Sequence, residues 1–452
     1  MSLLYYMTDH IWCPWLLGAF LLLGILLSFQ TGFFQIFRLP LWWRCTFGSL
    51  LAPAKNSQRG LSCLQALATA LASTIGTGSI VGVATALTLG GPGSIFWLWL
   101  CSFFSMMISC VEKLLSVRYQ CSDPDGLLQG GPMFYLRDGL HAPHLAILFC
   151  LICLPATLTG GNLIQSSAIA DAALHTFGTQ RLYTGLITAF LTGVVMLGGI
   201  TRIARLSTVL VPLMALFYFG SGLWVLATHL DALPHALTSI FQNALTPRSA
   251  LSGAGGWTTS TAIRYGIARG VFTNEAGLGT CAIAHGAASA EHPAQQGMWG
   301  IFEVFCSSFL VCTITALVIL VSGVYPTTQL TGLALTNAAF ESSFGTYGSF
   351  IVSITLLLFA FSSLIGWSYY GQQALRFLCG SDRFLPYYRF IFLITIIAGS
   401  QWDSQFLWTM VDLCNAFLSI PNLIALALLS PQALELLQQW EYLQLSEEKR
   451  ER

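Results

Sequence analysis

The residues best placed to do chemistry are polar groups and glycines set inside apolar stretches. Gly76, Gly78 and Gly82 stand among Ser73, Thr74, Thr77 and Ser79 in the middle of one such stretch. Glycine costs a helix about 1 kcal/mol relative to alanine, and in lipid every freed backbone group must find a partner. The segment therefore reads in two ways. It could be a close helix contact through the small pair Gly78 and Gly82, or a broken helix whose amides meet a carboxylate while its carbonyls hold a cation. A dinucleotide fingerprint is excluded, because no β-α-β context surrounds Gly76 and Gly78. A second segment favours the broken helix: Arg269-Gly270-Val271-Phe272-Thr273-Asn274-Glu275-Ala276-Gly277-Leu278-Gly279 places Asn and Glu beside two glycines. Two interrupted helices at matching places in two halves predict an inverted-repeat carrier with its site between them.

Other polar groups fall inside apolar runs. Glu112, Asp171, Glu303 and Asp412 are carboxylates in such positions, where a charge is costly and marks either function or a structural ion pair. Gln165 is a long amide in mid-run, readable as a site residue or as interhelical glue. Trp367 in Gly366-Trp367-Ser368-Tyr369-Tyr370 reads as a pocket wall or an interfacial aromatic. The turn Gly90-Gly91-Pro92-Gly93 reads as a tight connection. The thirteen cysteines lie mostly within apolar runs and read as small buried hydrophobes, Cys150-x-x-Cys153 included.

The elements that must position these groups follow from composition. Of 452 residues, 55% are hydrophobic and only 8% charged, with 19 basic and 19 acidic side chains in balance. Soluble domains carry about 25% charged residues, so the solvent of this chain is largely lipid. The lack of basic excess argues against nucleic acid as a partner. At roughly 20 apolar residues per crossing, spans are expected at 15–37, 64–89, 94–117, 144–176, 182–199, 206–229, 262–290, 297–324, 347–378, 386–401 and 404–430. This predicts an all-α integral membrane protein with about eleven transmembrane helices, one of them an extra N-terminal helix ahead of a five-plus-five repeat. Residues 1–63 would hold the extra helix and a cytoplasmic linker, 64–229 the first repeat, 230–430 the second, and 431–452 a cytoplasmic tail. Fifteen Lys and Arg residues then fall on one side, against Arg181 and Arg248 on the other. Positive charge marks the cytoplasmic face. The N-terminus is thus expected outside, the C-terminus in the cytoplasm, and the first span is read as an anchor that is kept.

Six blocks in order resemble the alanine or glycine:cation symporter family. They are the run 76–99 with its Gly90-Gly91-Pro92-Gly93 turn, Leu128-Gln129-Gly130-Gly131-Pro132-Met133, and Phe272-Thr273-Asn274-Glu275-Ala276-Gly277. The others are Cys312-Thr313-x-Thr315-Ala316-Leu317, the run 361–371 around Gly366-Trp367, and Ile420-Pro421-Asn422-Leu423-Ile424-Ala425-Leu426. The resemblance spans nearly the whole chain. It implies a LeuT-like fold in the cell membrane, sodium-coupled uptake of small neutral amino acids such as alanine or glycine, and no cofactor beyond the co-transported sodium.

The resemblance also carries site residues. Gly76, Thr77 and Gly78 would meet the substrate carboxylate, Phe272, Thr273 and Asn274 its ammonium group, and Gln165 and Trp367 its side chain. One sodium would be held by the carbonyls of Ala72 and Ile75 and the hydroxyls of Ser362 and Ser363. The chain departs from the family at three positions: Ser79 stands where Asn is common, Ser307 where Asp is common, and Ser167 where Asn is common. A second ion site at Ser79 and Ser307, with Thr273 as a further ligand, would therefore be degraded. A proton-coupled carrier or an exchanger of the same fold is the alternative, with Glu275 as its first candidate group. A channel lacks support from any filter motif, and an enzyme from any H-E-x-x-H or nucleophile–base set.

Overall fold

The computed structural model describes residues 14–48, 60–123, 126–245, 259–402 and 404–451. Lys55, Arg59, Arg248 and Arg452 of the charge count lie outside the described residues. Helices dominate. They are α1 (Pro14–Gln30), α2 (Cys63–Thr74), α3 (Val83–Gly90), α4 (Gly93–Arg118), α5 (Pro143–Leu158) and α6 (Ile164–Phe177). Next come α7 (Arg181–Met196), α8 (Gly199–Thr228), α9 (Leu233–Leu245), α10 (Thr259–Asn274), α11 (Thr280–His285) and α12 (Pro293–Val304). The chain ends with α13 (Thr313–Val321), α14 (Gly332–Phe344), α15 (Tyr347–Cys379), α16 (Leu385–Gly399) and α17 (Ser404–Glu451). The all-α expectation holds apart from a small antiparallel ribbon that pairs Cys121–Ser122 with Leu128–Gln129.

Among the described residues, six helical segments are long and apolar enough to cross a bilayer, and the bent pair Cys63–Thr74 plus Gly78–Gly90 makes a seventh. Eleven were expected. The differences have local causes. The expected first and fifth spans are shorter helices, Trp15–Gln30 and Arg181–Met196. The expected seventh is divided into α10 and the six-residue α11 by a break at 275–279, and the expected tenth is the 15-residue α16. The helix α17 runs past Pro421 and Pro431 without ending, so the expected tail from 431 is helical.

Burial follows the lipid-facing pattern. Leu182, Tyr183, Ile187 and Phe190 on α7, and Leu213, Leu216 and Trp224 on α8, are large exposed apolar side chains. An apolar surface this extensive suits acyl chains rather than water. The interior, by contrast, carries buried Ser, Thr, Asn, Gln and charged residues. The α4 helix is the central post, with α10 and α12 packed along it, while α2 is surrounded by α8, α11, α12 and α15. Small residues permit the closest approach. A Cβ on Gly300 would lie 2.8 Å from the Ser109 carbonyl oxygen, and Ser109 Oγ donates to the Gly300 carbonyl at 2.9 Å. This is the backbone-to-backbone contact that helices in lipid use in place of a hydrophobic driving force.

Candidate functional site

The site grows from the break between α2 and α3. The α2 helix starts with a capping box: Ser62 Oγ accepts from the Gln65 amide and Gln65 Oε1 accepts from the Ser62 amide. It ends where Ile75 leaves helical geometry at φ −82° and ψ 85°. The two halves meet at a 52° bend. Beyond the bend, residues Gly78–Gly82 form a π-helical turn into α3, a device that recurs at functional sites.

The freed backbone groups are met by side chains from distant helices. On α15, Ser362 Oγ donates to the Ala72 carbonyl at 2.9 Å and Ser363 Oγ to the Ser73 carbonyl at 2.9 Å, with Ala72 a second acceptor at 3.2 Å. The serine pair thus meets Ala72, as expected, and reaches Ser73 rather than Ile75 for the second carbonyl. Gly366, one turn further along α15, lies so close to Ser73 Oγ that no Cβ fits between them. On the other side of the break, the Thr77 amide donates to Gln165 Oε1 at 3.3 Å, and Gln165 Nε2 donates to the Gly160 carbonyl at 3.2 Å. Gln165 is held there because the chain between α5 and α6 passes through a π-helical turn, Thr159–Leu163.

The remaining expected residues converge on the same place. A Cβ on Gly76 would contact Ser363 and Gln165, and one on Gly78 would strike the Phe272 ring and approach Thr273. Trp367 is buried, and its side chain lies directly against Gly161, where a Cβ would overlap it. The second break, between α10 and α11, is made by left-handed backbone at Glu275, Gly277 and Gly279, with φ values of 52°, 78° and 88°. Asn274 shapes it, since Asn274 Oδ1 accepts from the Ala276 amide at 3.0 Å, the side-chain turn that Asn favours.

Ser79 and Ser307, the expected remnants of a second ion site, stand on two π-helical turns that pack against each other. The Ser79 carbonyl accepts from Thr315 Oγ1 at 2.8 Å, while Ser79 Oγ is buried without a hydrogen-bond partner. Ser307 Oγ reaches only its own helix, at the Val304 carbonyl 3.5 Å away, in a π-helical stretch, Phe305–Cys312.

Beside the first break lies a cluster of charge that the sequence showed only as isolated residues. Lys113 Nζ is within 3.0 Å of Glu112 Oε2 and 3.3 Å of Glu303 Oε2, with all three side chains fully buried. Lys113 is one of the fifteen basic residues on the expected cytoplasmic side; the structure buries it among carboxylates, and the charge asymmetry without it is one residue smaller. Asn422 donates to Glu112 at 2.6 Å, and Thr74 Oγ1, at the end of α2, donates to Glu303 Oε1 at 2.9 Å. His285 Nε2 lies 3.4 Å from Glu303. Glu275 accepts from Thr280 at 2.5 Å and from Cys281 at 3.3 Å, and Cys281 touches Thr74 at 3.2 Å. Both helix breaks are therefore tied to one buried polar network. The signal for it was present in Glu112 and Glu303; what the sequence lacked was the partner.

A cavity of ≈1060 Å³ leads from the face carrying Leu89, Arg181 and Leu330 down to Thr77. Arg269 and Asp412 pair on its wall at 3.3 Å, and the Arg269 guanidinium lies 4.5 Å above the Trp408 ring. Trp408 in turn packs edge-on to Phe272, with centroids 5.0 Å apart.

A helical, multi-pass membrane protein with two interrupted helices meeting at a buried polar centre, beside a cavity that opens to one face, has the architecture of a membrane transporter. The chain belongs to the sodium:alanine symporter family, whose family model matches residues 1–452. It is 39% identical to the sodium/alanine symporter AgcS of Methanococcus maripaludis over 95% of this chain and 94% of that one. It is 36% identical to the probable sodium/glutamine symporter GlnT of Bacillus subtilis, covering 94% of this chain and 87% of that one. Its fold resembles that of the Eremococcus coleocola manganese transporter, with a TM-score of 0.54 at 13% identity over 86% of this chain and 82% of that one.

The buried network makes one stability prediction. Replacing Lys113→Met leaves Glu112 and Glu303 facing each other uncompensated, a change that costs about 3–5 kcal/mol when a buried pair loses one partner. Thermal unfolding of detergent-solubilised protein should show a large fall in melting temperature, exceeding that of Cys110→Ala one turn away. Equal melting temperatures for the two variants would contradict the network.

Proposed function

We propose that this protein is a sodium-coupled symporter of small neutral amino acids that works by alternating access between the two faces of the cell membrane. The observation that carries the reading is the convergence of Ser362, Ser363, Gln165, Gly78 and Phe272 on the interrupted α2–α3 segment. A carrier needs backbone groups that can exchange an internal partner for a substrate, and interrupted helices supply them at mid-depth. In this reading α1 is an extra helix, residues 64–229 and 230–430 are two five-helix repeats of LeuT-like topology, and eleven segments cross the membrane.

The substrate carboxylate binds at the amides of Gly76, Thr77 and Gly78, where the following half-helix presents its positive end. The carbonyls of Phe272, Thr273 and Asn274 take the ammonium group, with Gln165 and Trp367 bounding the side chain. Sodium sits among the carbonyls of Ala72 and its neighbours Ser73 or Ile75 and the hydroxyls of Ser362 and Ser363. These are all oxygen ligands, as a hard cation prefers. Ser79 and Ser307 offer short hydroxyls and no carboxylate, so the second ion position is weak.

Three outcomes follow. Uptake into proteoliposomes should rise with sodium with a Hill coefficient near one, and Ser363→Ala should abolish the sodium dependence. A coefficient near two, or dependence that survives Ser362→Ala and Ser363→Ala together, would refute the single-ion assignment. Uptake driven by a pH gradient without sodium would instead favour the proton-coupled reading, with Glu275→Gln the first variant to test.

Trp367→Ala should open space over Gly161 and admit larger side chains, raising the competition by leucine or methionine several-fold. Unchanged selectivity in a well-expressed variant would make Trp367 a packing residue.

The Lys and Arg asymmetry supports a cytoplasmic C-terminus, an outside N-terminus and a cavity mouth on the outer face. A reporter active only in the cytoplasm should be active when fused after Arg452. A stable but silent fusion would reverse the orientation.

A further inference from the structure

Among the described residues, the buried interior holds more negative charge than positive. Outside the cavity its carboxylates, amines and imidazoles are those of Glu112, Lys113, Glu275, His285 and Glu303. Three carboxylates thus face one ammonium, and even a charged His285 would leave the carboxylates one ahead. Surplus charge in a lipid-embedded interior is costly.

The surplus lies at the unfavourable end of a helix. The α2 helix ends at Thr74, so its negative pole points at the Glu303 carboxylate, which accepts from Thr74 Oγ1 at 2.9 Å. Helix C-termini favour cations and repel carboxylates. Lys113 does not cancel this repulsion, because it is shared between Glu112 and Glu303 at 3.0 and 3.3 Å. Cys281 touches Thr74 at 3.2 Å and Glu275 at 3.3 Å, which brings the third carboxylate to the same helix end. A cation held at the end of α2 would relieve the helix pole and the carboxylates together.

The carbonyls of Ala72 and Ser73 stand just before Thr74, and the hydroxyls that meet them, on Ser362 and Ser363, are neutral. Ser307 adds no carboxylate either. These oxygens alone would leave a bound sodium without a counter-charge. We propose that Glu303 is a positioning residue for that sodium: acting through Thr74, with Glu112 and Glu275 behind it, it supplies the negative charge that the neutral ligand set lacks. The inference rests on the sodium-coupled reading and names what makes the end of α2 attractive to a cation. Lys113 keeps the surplus small enough for one monovalent ion to offset most of it.

The test is the initial rate of alanine uptake by proteoliposomes of the full-length protein. It is read against sodium at saturating alanine, and against alanine at saturating sodium. Glu303→Gln should raise the half-saturating sodium concentration about tenfold, as expected when a unit charge close to the ion is removed within protein. The half-saturating alanine concentration, read at saturating sodium, should stay within about twofold of wild type. Glu303→Asp keeps the charge and should restore most of the sodium affinity. Glu112→Gln should shift sodium in the same direction by a smaller factor, because Lys113 stands between Glu112 and Glu303. A purely structural role would lower the maximal rate and leave the half-saturating sodium unchanged, and that result for Glu303→Gln would overturn the proposal. Should Glu303→Gln fail to insert, an unshifted Glu112→Gln would overturn it equally. Sodium-dependent wild-type uptake with unshifted variants sinks the counter-charge alone. Wild-type uptake that ignores sodium sinks the sodium-coupled reading and this inference with it.

Discussion

Everything in this structure depends on what happens to backbone hydrogen-bonding groups when a helix is broken inside lipid. Water cannot repair the break, so protein must. At the end of α2 the carbonyls of Ala72 and Ser73 are met by Ser362 and Ser363, and past the bend the Thr77 amide is met by Gln165. Each partner is a neutral hydroxyl or amide, and each bond has a net worth of only about 1 kcal/mol. Such bonds hold the break closed at little individual cost.

Charge is handled in the opposite way. Glu112, Lys113 and Glu303 are buried together with Asn422, Thr74 and His285 around them. Removing ions from water is expensive, and a buried pair is retained only when further hydrogen bonds meet its remaining lone pairs and protons. The network anchors the end of α2 through Thr74 and approaches the second break through Cys281 and Glu275. The neutral contacts thus sit on one side of the broken helix, and the charged ones on the other.

Packing supports both arrangements through glycine. Gly161 leaves room for Trp367, Gly366 for Ser73, and Gly78 for Phe272. Long helices with bulky side chains would keep these elements several ångströms further apart. The same small residues that let backbones approach are those that weaken helices. Two further irregularities are the π-helical turns Thr159–Leu163, packed on α15, and Phe305–Cys312, packed on the Gly78–Gly82 turn.

Composition and local pattern were enough to read a lipid-embedded helical chain and the positions of both breaks, while Ala72, Ser362 and Ser363 beside the first break were named only through the family resemblance. Helices and breaks follow from properties of short stretches: apolar length, helix propensity, and glycine beside hydroxyl. They were not enough to tell a full crossing from a short apolar helix, because α1, α7 and α16 differ from the others in length rather than in character. Nor could they tell which charge meets which. Lys113 reads as a loop cation until α12 brings Glu303 to it, and Asp412 reads as an isolated carboxylate until α10 brings Arg269, 143 positions away in the chain. Ser362 and Ala72 are 290 positions apart, and Glu112 and Asn422 are 310. A residue's type and its immediate neighbours set what the backbone beside it can do. Pairing of polar groups across hundreds of positions is decided by how the helices pack, and only the tertiary structure contains that.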